Sequence, residues 1–599
     1  MARKRWSGRL TSCAVAVVLA AAAPAAAHEG SERPEESAAL GQEHAHEHAR
    51  LRESMAALSG YSQLTRIDSL KDLTRSQRLA NAKFGPKEYG RFAEYFPSPD
   101  FAAHIAMLPT GKVLLFSFER MEDNPTQEPA PTGTIGKANA GRAYLWDPSK
   151  GTTALAFKKV TPPTVFVPDG TYQARPAPFF CSGHAFLPNG MLGVFGGNLG
   201  FGGGAGARLS LVFDPWTETW ALNKDMAVGR WYPSVATAPD GRLLIMSGHS
   251  ATGWGTATSL IERFPAKTHP VPFEKTAIPR GVPTDSLRVD APFGAESDYP
   301  HLFTLRDGKV YGLGRDSAKQ FAFDPVAETR TGLPARPDGI DRGYGSAVPL
   351  PAGLHGPDSV LVLGGDRDDP DTYELANGAW EKQQPRAFGR TQDDTLLMPD
   401  ATLLTVNGAY AIRDYGNGPY NPEADLKYRQ TETRDAAGQW RLGPVQRLPR
   451  GYHSNAVVLP DGRILVTGDE LQQLANDPNI SDSMNGSIEI FEPAYLHQGG
   501  SRPQLGTVPD KAVGYASPFR VTTSTPEQVK KAVLLAPTTA THSVNTSQRH
   551  IELSIVKRDG VTLDLQAPPT SADAPPGFYM LFLLDERGVP STAKFVQLR

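Results

Sequence analysis

The chain has 599 residues, more than one hydrophobic core usually serves, so two or three domains are expected. Its 58 glycines and 52 prolines are scattered rather than clustered, which suits a turn-rich all-β protein better than a helical one. A formal charge of −3 without any basic stripe argues against nucleic acid as a partner.

At the N-terminus Arg3, Lys4, Arg5 and Arg9 precede an apolar run from Ala14 to Ala23, and Ala25-Ala26-Ala27 follows as a small-residue cleavage site. This is the pattern of a secretory signal peptide over residues 1–27, with a retained signal anchor as the alternative. Leu10-Thr11-Ser12-Cys13 resembles a lipoprotein box, but its apolar run follows the cysteine instead of preceding it. No other apolar run is long enough to span a bilayer. Cleavage would remove four cations and no acidic residue, moving the formal charge from −3 to −7, and would leave Cys181 as the one cysteine of an exported protein. Such a cysteine is a buried inert thiol, an intermolecular partner, or a residue committed to other chemistry.

Residues 28–95 divide in two. His28, His44, His46 and His48 lie in a polar stretch for which disorder is expected. Cleavage after Ala27 would put a free amine beside the His28 imidazole, a pair that chelates copper(II), so the tail is either a copper-capturing segment or a solvated linker. Leu51, Met55 and Leu58, then Leu64, Ile67 and Leu70, recur at helical spacing and predict two short amphipathic helices broken near Gly60.

From residue 96 to 498 a repeat decides the fold. Its unit is a strand, a two-residue turn and a second strand, with copies at 104–117, 183–197, 233–248, 300–314, 345–365, 394–408 and 452–468. Asn189-Gly190, Asp240-Gly241, Asp307-Gly308 and Asp461-Gly462 supply hairpin turns between alternating apolar runs. Several copies continue into a third strand ending in Asp-Pro or Glu-Pro, as at Asp147-Pro148, Asp214-Pro215, Asp324-Pro325 and Glu492-Pro493. Seven such units predict an all-β fold, a seven-bladed kelch-type β-propeller, in preference to a sandwich of hairpins. Over 499–599 the repeat stops, and six short alternating strands predict an immunoglobulin-like β-sandwich.

Equivalent phases of different blades converge on a propeller's axis. Cys181 stands just ahead of the second repeat, Tyr232 ahead of the third, and Tyr452-His453 open the seventh; His542 falls in a polar turn of the C-terminal domain. Phenolate oxygen together with imidazole nitrogen suits tetragonal copper(II) better than zinc. Each residue also has a plainer reading, as core or rim tyrosine, hydrogen-bonding histidine or buried thiol.

Longer motifs narrow this. Phe180-Cys-Ser-Gly183, Arg230-Trp-Tyr-Pro233, Arg450-Gly-Tyr-His-Ser454, Thr541-His-Ser-Val-Asn545 with Arg549, and Pro575-Pro-Gly-Phe-Tyr-Met580 with Val589-Pro-Ser591 occur in one order. From about residue 95 onward the chain resembles the galactose oxidase and glyoxal oxidase family of copper-radical oxidases, and the Trp beside Tyr232 is more similar to the glyoxal oxidase branch. The resemblance implies a thioether between Cys181 and the Tyr232 ring as a built-in one-electron cofactor. It further implies one copper ion held by Tyr232, His453 and His542 with Tyr452 axial, Tyr452 acting as the acceptor of the substrate proton. The implied reaction oxidises a small aldehyde or primary alcohol with O2 and releases H2O2. One departure stands out: where galactose oxidase carries a Trp stacked on the thioether, this chain has Ser250, with Trp254 and Tyr299 as nearby aromatic candidates. No counterpart of the galactose-binding arginine is evident, so galactose is a poor expectation. Two other functions compete, a glycan-binding propeller without turnover and an extracellular copper-binding protein; association with the cell envelope stays open.

Overall fold

The computed structural model describes residues 70–121, 138–166, 174–199, 206–252, 256–275, 277–287, 289, 298–365, 369–409, 427–448, 450–468 and 486–599. The signal segment, the histidine-bearing tail and the helix expected on Leu51, Met55 and Leu58 lie outside them. A helix runs from Leu70 to Asn81. It docks through its polar amides: Asn81 exchanges two hydrogen bonds with the backbone of Val445 (2.6 and 2.9 Å), and Gln77 donates to the same carbonyl at 3.1 Å. The open edge of the strand Trp440–Val445 is thereby covered.

The expected propeller and sandwich are both present. Among the described residues seven antiparallel sheets share one plan, four strands counted outward from the centre. Their innermost strands are His104–Met107, Gly183–Phe186, Ser234–Thr237, His301–Thr304, Gly345–Pro349, Thr391–Leu397 and Asn455–Val458; the sheets are numbered one to seven in that order. Apolar side chains such as Leu192, Leu211, Leu244, Leu302 and Leu361 fill the spaces between sheets and are fully or almost fully buried. Sheet seven is composite. Its three inner strands come from Asn455–Val458, Ile464–Thr467 and Gly486–Glu492, but its outermost strand is Arg91–Ser98, paired from Arg91↔Glu492 to Ser98↔Gly486. That strand crosses the expected boundary at residue 95 and closes the ring with the beginning of the described chain.

The hairpin turns differ from the sequence expectation. In 187–191 the Leu187 N–H bonds Met191 O (2.8 Å) and the Gly190 N–H bonds Leu187 O (2.9 Å). Only Gly190 has positive φ (+85°), whereas a two-residue primed turn of the Asn-Gly type needs it at Asn189 as well. These are three-residue loops in which glycine supplies the single left-handed position.

A second device recurs around the ring. Arg230, Arg342, Arg390 and Arg450 are buried, and each donates through Nη1 to a carbonyl near the end of its sheet's second strand: Ser247, Gly364, Asn407 and Gly468, at 2.7–3.0 Å. Each also meets a carboxylate: Glu262 at 3.1 Å, Asp338 at 2.6 Å, Glu432 at 3.1 Å and Glu489 at 3.4 Å. A guanidinium at this depth keeps its charge through such pairing, and its fork ties the strand entry to the middle of the sheet.

The C-terminal sandwich sets the sheet of Pro518–Thr522, Thr562–Gln566 and Ile555–Asp559 against that of His550–Leu553, Lys531–Leu535, Gly577–Leu584 and Lys594–Leu598. Its core includes Val521, Leu534, Leu563, Leu565 and Leu581. One piece leaves the sandwich: Thr539–Thr541 pairs with the innermost strand of sheet one, His104 opposite Thr541 and Ile105 opposite Ala540.

The buried clamps can be tested singly. Arg230→Met leaves Glu262 charged and buried, and should cost about 3–5 kcal/mol, whereas adding Glu262→Leu should recover most of it. The unfolding midpoints of the single and double variants read this directly.

Candidate active site

At the mouth of each sheet one residue adopts a left-handed backbone. These are Ala102 (φ 58°), Cys181 (58°), Tyr232 (64°), Tyr299 (31°), Tyr344 (58°), Gln392 (57°) and His453 (67°). None is glycine, so each conformation costs about 1–3 kcal/mol and persists because its surroundings over-determine it. The backbones support one another around the axis: Tyr232 N–H bonds Cys181 O (3.0 Å), Tyr299 N–H bonds Tyr232 O (2.9 Å), and Gln392 N–H bonds Tyr344 O (2.9 Å). The left-handed turn redirects each chain into its strand and aims the preceding segment at the centre. Sheet seven carries one residue more between its arginine and this turn, Arg450-Gly-Tyr-His453 against Arg230-Trp-Tyr232, and so brings both Tyr452 and His453 to the axis.

His542 arrives from the other domain. After the strand Thr539–Thr541 the chain makes a tight turn in which Thr541 and Val544 exchange backbone hydrogen bonds (3.1 and 2.8 Å), with His542 and Ser543 at φ 49° and 66°. Thr541 Oγ1 donates to Ala103 O at 2.7 Å and therefore accepts from His542 Nδ1 at 2.6 Å. The proton of His542 is thus on Nδ1 and its Nε2 lone pair faces the cluster, 3.6 Å from Cys181 Sγ.

All five residues singled out in the sequence come together, and all five are completely buried: Cys181, Tyr232, Tyr452, His453 and His542. The donor atoms of Cys181, His453 and His542 lie within 4.8 Å of one another. The Tyr232 and Tyr452 hydroxyls are 2.7 Å apart. The two imidazoles meet edge to face (4.4 Å, 80°), and the Tyr452 ring lies 3.7 Å from that of His453. Phe101 and Phe180 flank His453 at 6.2 and 5.2 Å and make the surroundings apolar. Two imidazoles, two phenols and a thiol in a water-excluded pocket form a donor set suited to copper, with the oriented His542 Nε2 as one ready ligand.

Two further tyrosines complete the wall. Tyr299 lies 4.9 Å from the Tyr232 ring and 4.8 Å from His542. Tyr344 meets Tyr452 edge-on at 5.7 Å. Tyr299 donates to Ser182 O at 2.9 Å, and burial, reinforced by the nearby Cys181, holds its hydroxyl well above the usual tyrosine range, so it stays protonated. Of the aromatic candidates beside the Tyr232 ring, Tyr299 is in place, while Trp254 lies outside the described residues. Ser250 turns its hydroxyl to Thr252 and Thr256 (2.8 and 2.7 Å). Tyr344 escaped the sequence reading, although Arg342-Gly-Tyr344 repeats the Arg-x-Tyr spacing of Arg230-Trp-Tyr232.

The propeller and sandwich that share this axial cluster form a galactose oxidase-like fold. The chain is similar to galactose oxidase and to the aldehyde oxidases: residues 502–598 match the family described as galactose oxidase-like, Early set domain. It is 26% identical over 543 residues to a galactose oxidase of Gibberella zeae, covering 85% of this chain and 70% of that one. It is 27% identical over 479 residues to an aldehyde oxidase of Arabidopsis thaliana, covering 70% and 71%. Among solved structures, a fungal alcohol oxidase in complex with copper superposes with a TM-score of 0.66 at 20% identity, covering 85% of this chain and all of that one.

The orientation of His542 yields a prediction. Thr541→Val removes the acceptor of the Nδ1 proton while keeping the side chain's shape, and should weaken copper binding by about 10–100-fold. His453→Ala or His542→Ala should weaken it more; competition with a chelator measures all three.

Proposed function

We propose that the protein is an exported copper-radical oxidase that converts small aldehydes or primary alcohols with O2 and releases H2O2. The observation that carries this reading is the convergence of Cys181, Tyr232, Tyr452, His453 and His542, drawn from three sheets and the C-terminal domain, at one fully buried point. Full burial also argues against a glycan-binding role for these five, since a recognition surface needs its side chains in solvent. Export rests on the leader-like residues 1–27. No described helix is long and apolar enough to cross a membrane.

Tyr232, His453, His542 and Tyr452 would hold the copper ion, which supplies a one-electron acceptor and a place for the substrate oxygen. Tyr452 takes the substrate's hydroxyl proton on Oη; its ring is held between His453 and Tyr344. Tyr232, joined to Cys181 by a thioether and carried as a radical, removes a hydrogen atom from the substrate carbon. That accounts for one electron and one proton of the two of each lost from substrate; Tyr452 takes the other proton, and bound copper would supply the acceptor for the other electron, with O2 as the final oxidant reduced to H2O2. The apolar walls from Phe101, Phe180 and Trp231 exclude water from this chemistry. For an aldehyde substrate, its hydrate presents the same hydroxyl and the same C–H bond.

Copper-loaded protein should release peroxide when supplied with glyoxal-like aldehydes or simple alcohols, and its mass should be two hydrogens below that of the sequence. Cys181→Ser should keep copper but lose turnover. Tyr452→Phe should retain copper and lose about 10²–10⁴-fold in rate. An alkylatable Cys181 in copper-loaded, air-exposed protein would count decisively against the radical cofactor, and absence of peroxide across all substrate classes would leave a copper-binding role instead.

A further inference from the structure

Behind the cluster lie two buried histidines that the reaction above does not use. His104 opens the innermost strand of sheet one, and His184 is the second residue of that of sheet two, three residues after Cys181. The Cys181 N–H donates to His104 Nε2 at 2.9 Å, and His104 Nδ1 lies 3.2 Å from His184 Nε2. An N–H can only donate, so His104 Nε2 is unprotonated. The proton of the neutral ring is therefore on Nδ1 and is given to His184 Nε2, which leaves the His184 proton on Nδ1. Burial favours the neutral rings, pushing His184 down to about 3 and His104 well below its ordinary value. The His104 ring is further fixed by lying flat on Phe116, centroids 4.7 Å apart and planes 12° from parallel.

This relay acts on a demanding position. Cys181 is a non-glycine residue at φ 58°, and its carbonyl already accepts the Tyr232 N–H at 3.0 Å. With its own N–H tied to His104, Cys181 is anchored on both sides, in register with the residue to which it is to be joined. We propose that His104, steadied by His184, is a positioning residue that holds the Cys181 backbone for its coupling to Tyr232, a role that rests on the thioether reading above. The coupling forms a bond from Sγ to a ring carbon, removes the thiol hydrogen and one ring hydrogen, and passes both, with two electrons, to O2 as H2O2.

The test follows the coupling itself. Metal-free, unlinked protein is mixed with copper(II) in air, and the linked species is timed by its loss of two hydrogens in the mass spectrum, with copper affinity measured in parallel. His104→Phe keeps the stack on Phe116 but removes the acceptor, and should slow linking by about tenfold or more with copper affinity nearly unchanged. His104→Gln, whose Oε1 can accept the same N–H, should recover most of the rate. If His104→Phe does not fold, His184→Leu, which only loosens the relay, should show a smaller slowing. Linking of His104→Phe or His184→Leu at the wild-type rate, or a loss that tracks lost copper affinity, overturns the positioning role alone. So does a His104→Gln variant as slow as His104→Phe. Failure of the wild-type protein to link at all overturns the thioether and, with it, this role.

Discussion

The arrangement depends on a ring of backbones forced into the left-handed region at the centre of the propeller. A non-glycine residue at φ near 60° is disfavoured because its Cβ crowds the carbonyl that follows, and an isolated chain would relax out of it. Here the strain is held by hydrogen bonds to the neighbouring sheets, such as Tyr232 N–H to Cys181 O, and by arginines two or three residues earlier that lock the strand entry to the sheet interior. The benefit is geometric. Sheets two, three and seven deliver Cys181, Tyr232, Tyr452 and His453 to the same small volume, so residues hundreds of positions apart become neighbours without a long loop having to hold them.

The second constraint lies between domains. A propeller alone supplies Cys181, Tyr232, Tyr452 and His453, but not the second imidazole. The hairpin after Thr541 adds it by entering sheet one as an extra central strand, so His542 is fixed by strand pairing and by Thr541 Oγ1. The same insertion brings Val544 into the buried apolar cluster that contains Phe180, Tyr232 and Tyr299. Domain docking and site assembly are thus one event, and loss of sandwich stability would reach the site directly.

Much of this was legible in the sequence, and the reason is periodicity. A repeat of strand, turn and strand reports both the architecture and the phase at which residues meet the axis, which is why Cys181, Tyr232 and Tyr452-His453 stood out. The Arg-x-Tyr spacing would have added Tyr344 had it been compared across all copies. Other features left no local trace. Thr539–Thr541 is too short for alternation to mark it as a strand, and its partner is more than four hundred residues away. His104 and His184 carry no signal of their own within the repeat, because a contact from a backbone N–H to a side chain in another sheet follows no sequence period. The turn type was misjudged for a related reason: Asn-Gly admits two conformations, and the strand register on either side selects between them.

Sheet seven takes its outer strand from Arg91–Ser98 and its inner strands from residue 455 onward, and His542 lies further on still. A chain emerging from the ribosome, or threaded across a membrane, must therefore expose residue 492 before the ring can shut and residue 542 before the donor set is complete. Until then the nascent polypeptide has only scattered donors. A chain captured partway through translation would lack the buried cluster of two imidazoles, two phenols and a thiol, which can assemble only once residue 542 has been made.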